Sequence, residues 1–171
     1  MILAKQQEIN EIYEFYKDVV SFMNEKGPRI GWNIQKYPDY SFVEEMVNRK
    51  DMFLKREDGK IICAAAINHE MNPEYDDISW EISGPRERIV TIHALAVAPE
   101  CRGKHISDQF LLNIEEYCRS QGYLAIHFDV IEGNEPAMKL YARNHYQVIS
   151  VIPMYYEVVG TKEFHMMEKV L

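Results

Sequence analysis

The chain has 171 residues, enough for one domain whose core needs no disulfide staples. Its hydrophobic fraction of 47% and charged fraction of 27% are ordinary for a soluble globular protein, and its net charge of −8 excludes a general nucleic-acid binder, which needs a clustered basic surface. No apolar run approaches membrane length and the N-terminus turns polar too early for a signal peptide, so no membrane association is expected and a cytoplasmic location is.

Residues 2–4 read as a short edge strand. Ile9, Ile12, Tyr16, Val19, Val20 and Met23 recur at helical spacing and predict an amphipathic helix ending near Gly27 and Pro28. The loop 27–40 that follows carries Trp32, Tyr37 and Tyr40. Trp32 and Tyr37 are candidates for a substrate-binding wall; equally, the aromatics of such a loop can pack back on the core. Ser41 with Glu44 forms a capping-box pattern that predicts a helix over 42–49. Residues 52–55 and 60–68 are strand-like, joined by Asp58-Gly59, a strong two-residue hairpin turn. A further strand is expected over 78–82. The acidic set around it, Glu74, Asp76, Asp77 and Glu81, reads as a solvated face, with attraction of a cationic substrate the minority reading.

Residues 89–97 are nearly all apolar, as in a central strand covered on both faces, and His93 interrupts them. Pro99 marks the strand's exit, and a basic turn, Arg102-Gly103-Lys104, leads into a helix beginning at Ile106. A strand delivered through a glycine turn onto a helix N-terminus makes an anion cradle, because the free N–H groups and the dipole both favour negative charge. Ile106, Phe110, Ile114 and Cys118 carry that helix toward Gly122; then follow a strand over 123–130, a helix over 135–144, a strand over 147–159 broken near Pro153, and a last strand over 164–170. The order is mixed α and β in a single domain spanning 1–171. The strand–helix–strand unit over 89–130 requires a parallel pair inside an otherwise mostly antiparallel sheet.

Asn134, Ala137 and Tyr141, at offsets of three and four, share one face of their helix, with a small residue between an amide and a phenol. A slender ligand could lie there, reaching from the anion turn toward Tyr141; otherwise Asn134 is a helix cap and Tyr141 a half-buried packing residue. Cys63 and Cys118 read as buried thiols, whereas Cys101, in the turn, is open to exposure. The three lack metal-ligand spacing, so no metal is expected.

The segment LAVAPECRGK at 95–104, followed at the right distance by Asn134, Ala137 and Tyr141, resembles the two signature motifs of the GNAT superfamily of N-acetyltransferases. The resemblance covers most of the chain from about residue 42. It implies a mixed, mostly antiparallel sheet with a central parallel pair splayed at the CoA site and about four flanking helices, with acetyl-CoA as co-substrate and an amine as acceptor; the motifs say little more of the acceptor, and the acidic charge fits a small primary amine. Leu95, Ala96 and Val97 would present backbone to the pantetheine arm, and the turn formed by Arg102, Gly103, Lys104, His105, Ile106 and Ser107 would hold the pyrophosphate. Asn134 and Ala137 would flank the arm, and Tyr141 would protonate the departing thiolate. The chain departs from the motif at His105 and Ser107, where small residues are usual; His105 could crowd a phosphate or pair with it. An amine must lose a proton before it attacks, and His93 is the candidate base, acting through water, with a satisfied core histidine the equal alternative; Glu81 is the backup. His69, His127, His145 and His165 form no constellation. A non-catalytic CoA-binding module of the same fold is the rival reading, while a nucleotide phosphotransferase is disfavoured because no GxxxxGK[ST] run occurs. Homodimers are common, and one is expected here on that ground alone.

Overall fold

The computed structural model describes residues 1–27 and 30–171; Pro28, part of the expected helix stop, lies outside them with Arg29. Among the described residues, alternating and continuous apolar runs form seven strands: β1 (Ile2–Leu3), β2 (Met52–Glu57), β3 (Lys60–Asn68), β4 (Ile89–Val97), β5 (Ala125–Ile131), β6 (Gln147–Tyr156) and β7 (Gly160–Val170). They lie in one sheet in the order β1-β2-β3-β4-β5-β7-β6. Among the described residues there are four α-helices, α1 (Ile9–Lys26), α2 (Tyr40–Asn48), α3 (Ile106–Ser120) and α4 (Glu135–Arg143). Pairing is antiparallel throughout except for β4 and β5, whose crossover helix is α3.

Local chemistry accounts for most boundaries. Asp58 and Gly59 both take left-handed φ (50° and 80°), which a two-residue turn needs if its twist is to match the strands it joins. α1 buries Ile12, Phe15, Tyr16, Val19, Val20 and Met23 as one stripe, the face its spacing predicts. β3 and β4 supply a run of buried alanines and branched residues at the centre of the sheet.

Several expectations are corrected. α2 starts at Tyr40, because Asp39 rather than Ser41 caps it, its carboxylate accepting the Phe42 N–H at 2.8 Å. β6 runs through Pro153 unbroken: it is an edge strand, where a missing N–H costs no ladder bond, and its irregularity lies instead between Val148 and Ser150. β7 begins at Gly160, since Tyr156 pairs with Gly160 in a tight hairpin. Cys101 is buried (5% exposed), closing the exposed-thiol reading. Residues 78–82 form no strand; they follow a 3-10 turn at Pro73–Asp77.

The last correction has a side-chain cause. The backbone N–H groups of Glu81 and Ile82 donate to the Glu168 carboxylate at 2.9 and 3.0 Å rather than to a neighbouring strand. His127 Nε2 donates to the same carboxylate at 2.8 Å, and Trp80 stacks on the imidazole with ring centroids 3.9 Å apart. Burial holds His127 below its ordinary pKa, so it serves this carboxylate as a neutral donor. Glu168 thus fastens the 78–82 segment to the sheet face from which β5 sends His127. With one buried donor (His127) and two part-buried amides left unpaired, at about 1 kcal/mol for the buried one and less for the others, Glu168→Ala is expected to lose about 2 kcal/mol of stability, read as a lower urea midpoint. Glu168→Gln should lose less, since its amide oxygen still accepts.

Candidate functional site

β4 does not stay flat against β3. Ala64 faces Ala96 and Ala66 faces His93, so Ala94 and Leu95 together oppose Ala65. Such a bulge bends its strand and steepens the twist. Ala94 takes φ 50°, a left-handed conformation that costs a non-glycine residue of order 1 kcal/mol. The strain is held by Tyr16 of α1, fully buried, whose hydroxyl donates to the Ala94 carbonyl at 2.8 Å.

The consequence is a split in the sheet. β4 and β5 pair only at Ile89↔Ala125 and Val90↔Ile126. β5 goes on pairing with β7 as far as Ile131, while the edge of β4 facing it is left without a strand partner. A cavity of about 880 Å³ opens at this split. Leu95 and Val97 line it from β4, and Arg102, Gly103, His105, Ile106 and Ser107 line it from the turn ahead of α3. Asn134, Ala137 and Tyr141 line it from α4, and Trp32 and Tyr37 from the loop after α1. Ala96, Lys104 and Glu81 are not among the lining residues; Glu81 is exposed on the fastened segment outside the cavity.

At the basic end, Gly103 has φ 76° and His105, the residue ahead of α3, has φ 58°. These left-handed residues turn the chain so that the first N–H groups of a 15-residue helix open toward the cavity mouth. The His105 imidazole does not fill the turn. Its side chain is 78% exposed, with Nδ1 3.2 Å from Asp108. Asp108 also accepts from Arg143 at 2.8 Å and from Asn144 at 2.8 Å, and chiefly the Arg143 guanidinium holds its carboxyl well below the usual range. Arg102, Lys139 and Arg143 all border the cavity here, a cationic rim on an acidic protein.

In α4, Asn134 caps the helix, its side chain accepting the Ala137 N–H at 3.4 Å, and it also lines the cavity. Tyr141 is buried against Phe128 and Tyr146, with ring centroids 4.5 and 5.4 Å away. Burial raises its phenol above the ordinary value, so it stays protonated. The loop aromatics pack back on the core, Trp32 standing edge-on to Tyr16 and to Tyr37 with centroids 6.3 and 6.2 Å away, and both loop residues also line the cavity.

His93 lines the cavity on the approach to the bulge. Its Nε2 donates to Asn68 Oδ1 at 2.9 Å, an oxygen that also accepts the Glu70 N–H, so Nδ1 carries the free lone pair. Burial pulls its pKa down to about 4, against a weaker opposing pull from Glu70. Three residues that sequence reasoning passed over also line the cavity: Tyr75, Asp129 and Tyr156. The Tyr75 and Tyr156 hydroxyls each donate to Asp129 Oδ2 at 2.7 Å. The available signal was a carboxylate inside the apolar run of β5, the same kind of interruption that singled out His93 in β4.

A model of the acetyltransferase (GNAT) family matches residues 9–146. No curated protein matches the sequence. Among solved structures, a GNAT-family acetyltransferase from Streptococcus agalactiae superposes with a TM-score of 0.82 at 20% identity, covering 99% of this chain and 94% of that one. A ribosomal-protein-alanine N-acetyltransferase from Brucella melitensis gives 0.73 at 14% identity, with 99% and 98% covered. The yncA protein of Salmonella typhimurium, solved with its cofactor acetyl-CoA, gives 0.72 at 15% identity, with 99% and 92% covered. At these identities the structures speak for the fold, while the family match spans well over half of the sequence: this chain belongs to the GNAT family of acetyltransferases.

Proposed function

We propose that the protein moves the acetyl group of acetyl-CoA directly to the primary amine of a small acceptor, with no covalent enzyme intermediate. The observation that carries this reading is the split between β4 and β5, which brings an unpaired strand edge, a cationic helix N-terminus and a protonated phenol onto one cavity. The residues present fit acetyl-CoA. Backbone groups on the free edge at Leu95 and Val97 would pair with the amides of the pantetheine arm. The N–H groups of the turn 103–107, with Arg102 and Arg143 beside them, would hold the pyrophosphate. Asn134 and Ala137 would border the arm. His105 leaves room for a phosphate, because its side chain leans outward on Asp108. When bound, acetyl-CoA supplies an activated acyl carbon and a thiolate leaving group.

This chain's own residues then have three tasks. The buried walls keep water from the acyl carbon. Tyr141, its phenol kept protonated by burial, gives a proton to the sulfur as the C–S bond breaks, and recovers one from the nitrogen that has gained the acetyl group. His93, neutral above about pH 4, passes the amine's proton on through water at Nδ1 without retaining it. Glu81 has no part, since it stands outside the cavity. The deciding experiment is calorimetric titration with acetyl-CoA alongside a free-thiol assay over pooled small amines. Binding with thiol release supports the reading, binding without it favours a non-catalytic CoA module, and no binding refutes both.

Two variants sharpen the assignment. Tyr141→Phe should lower kcat at least about tenfold while acetyl-CoA affinity stays within about twofold, because one hydroxyl acting only in the transition state is lost; an unchanged kcat removes Tyr141 from the mechanism. For His93, the folded pKa of about 4 lies below the unfolded value of about 6.5, so between those values the unfolded chain binds more protons. The contribution of His93 is therefore fully present above about pH 6.5 and is lost as pH falls toward 4. Urea unfolding of His93→Gln in that window should show a shallower fall of stability with acidification, by up to about 1.4 kcal/mol per pH unit.

A further inference from the structure

The cavity passes through the sheet, and its two ends differ in charge. Neighbouring residues of a strand point to opposite faces, and β5 uses this at the split: Phe128 packs on Tyr141 of α4, while Asp129 turns to the other face and meets Tyr75 and Tyr156. His93 stands on that same far face across the split, three residues beyond the last β4–β5 pair, as Asp129 does. The cations Arg102, Lys139 and Arg143 border the cavity on the turn and on α4. Among the described residues, three carboxylates line it: Glu70, Asp129 and Glu157. Glu70 is paired with Arg49, and Glu157 with Lys36 at 2.7 Å. Among the described residues no cation pairs with Asp129. Both phenols donate to one oxygen, Oδ2, and among the described residues nothing donates to Oδ1.

A carboxylate in an aromatic pocket with two donors and no counter-charge is incompletely compensated. The two phenolic donors favour its ionised form against the opposing effect of burial and fix its orientation, while an apolar cluster including Phe164 and Met166 packs on that side. We propose that Asp129 is the acceptor-binding residue, seating the ammonium of a primary alkylamine on Oδ1 against the rings of Tyr75 and Tyr156, and that the acceptor carries no carboxylate next to its nitrogen. The inference rests on the acetyl-transfer reading for the use of the seat, though the seat itself can be tested without turnover. An aromatic-lined carboxylate suits an alkylammonium on two counts, a charge-assisted hydrogen bond and cation–π contact. An α-carboxylate would meet Asp129 and Glu70 on this face with no unpaired described cation to receive it. Burial raises the Asp129 carboxyl from its ordinary value. In a dry site the ammonium–carboxylate pair yields its proton more readily than in water: the N–H bond breaks, Oδ1 takes the proton and passes it on to the water at His93, and the nitrogen is left neutral for attack.

Butylamine is the test probe, with 2-aminobutanoate carrying a carboxylate beside the nitrogen and butanol carrying no charge. Each is titrated by calorimetry into the CoA-bound protein, and thiol release from acetyl-CoA is followed in parallel. Wild type should bind butylamine in preference to both comparators. Asp129→Asn, whose amide oxygen still accepts both phenols, should bind it about tenfold to a hundredfold more weakly, with acetyl-CoA affinity and melting temperature unchanged. Tyr156→Phe, which keeps its ring on Phe164, should weaken butylamine binding severalfold and guards against a folding defect in the first variant. Equal butylamine binding by wild type and Asp129→Asn, equal binding of 2-aminobutanoate, or no butylamine binding by wild type overturns the seat. Thiol release with amines that Asp129→Asn leaves unchanged overturns the seat and leaves the transfer reading standing. Butylamine binding that depends on Asp129, with no thiol released by wild type, upholds the seat and removes the transfer reading.

Discussion

One hydrogen bond at the centre of the sheet decides what the protein can hold. Two adjacent parallel strands ordinarily pair along their whole length, because each unpaired backbone group left in the interior costs free energy. β4 escapes β5 after two residue pairs because Ala94 is turned into a left-handed conformation and Tyr16 keeps it there. The phenol reaches the Ala94 carbonyl from α1, a helix remote in sequence, so the bend is set by tertiary packing rather than by the strand's own residues. Opening the strands leaves an edge that must be satisfied from outside the protein, and a ligand with amide groups along its length meets that requirement.

The walls of the opening are stiffened by charge rather than by apolar packing alone. At the basic end, Asp108 ties the first turn of α3 to the last turn of α4 through Arg143 and Asn144, holding the two helices that frame the anion turn in fixed relation. On the opposite face, Glu168 fastens the 78–82 segment, Trp80 stacks on His127, and Tyr75 follows from the 3-10 turn just ahead, its ring 5.6 Å from that of Trp80. A chain carrying a net charge of −8 thus gathers Arg102, Lys139 and Arg143 at one mouth of the cavity, while elsewhere on its wall Lys36 is paired with Glu157 and Asp129 faces no described cation. The polarity of the cavity is a property of these two clusters and not of the overall balance.

Local signals were legible where they act over a few residues. Asp58-Gly59, the stripe of α1, the apolar run of β4 and the α3 start all lie close to where their residue types place them. What escaped was set at long range. The 78–82 segment has strand-like composition, but its amides are claimed by a carboxylate 86 or 87 residues away. Pro153 breaks a strand only if both edges are paired, and the strand's place at the sheet edge is a fact of topology. At the site, Tyr141, Asn134 and the turn were readable because their spacing along the chain is their spacing in space. Asp129, Tyr75 and Tyr156 lie 54 and 27 residues apart and meet only in the folded sheet.

Polar interruptions of buried strands therefore need sorting by partner rather than by position. His127 and Glu168 are both almost fully buried and each satisfies the other, with two backbone amides completing the set; nothing in that cluster is left for a ligand. His93 is satisfied on one nitrogen by Asn68 and lines the cavity, a half-committed group suited to passing a proton. Asp129 is oriented by two phenols on one oxygen and lacks any described cation. The three arise from the same sequence signal, a titratable residue in an apolar run, yet they differ in how much of their hydrogen-bonding capacity is met. A carboxylate at a cavity wall with no described counter-charge is costly unless it is protonated or paired, and a cation entering the cavity would pair it.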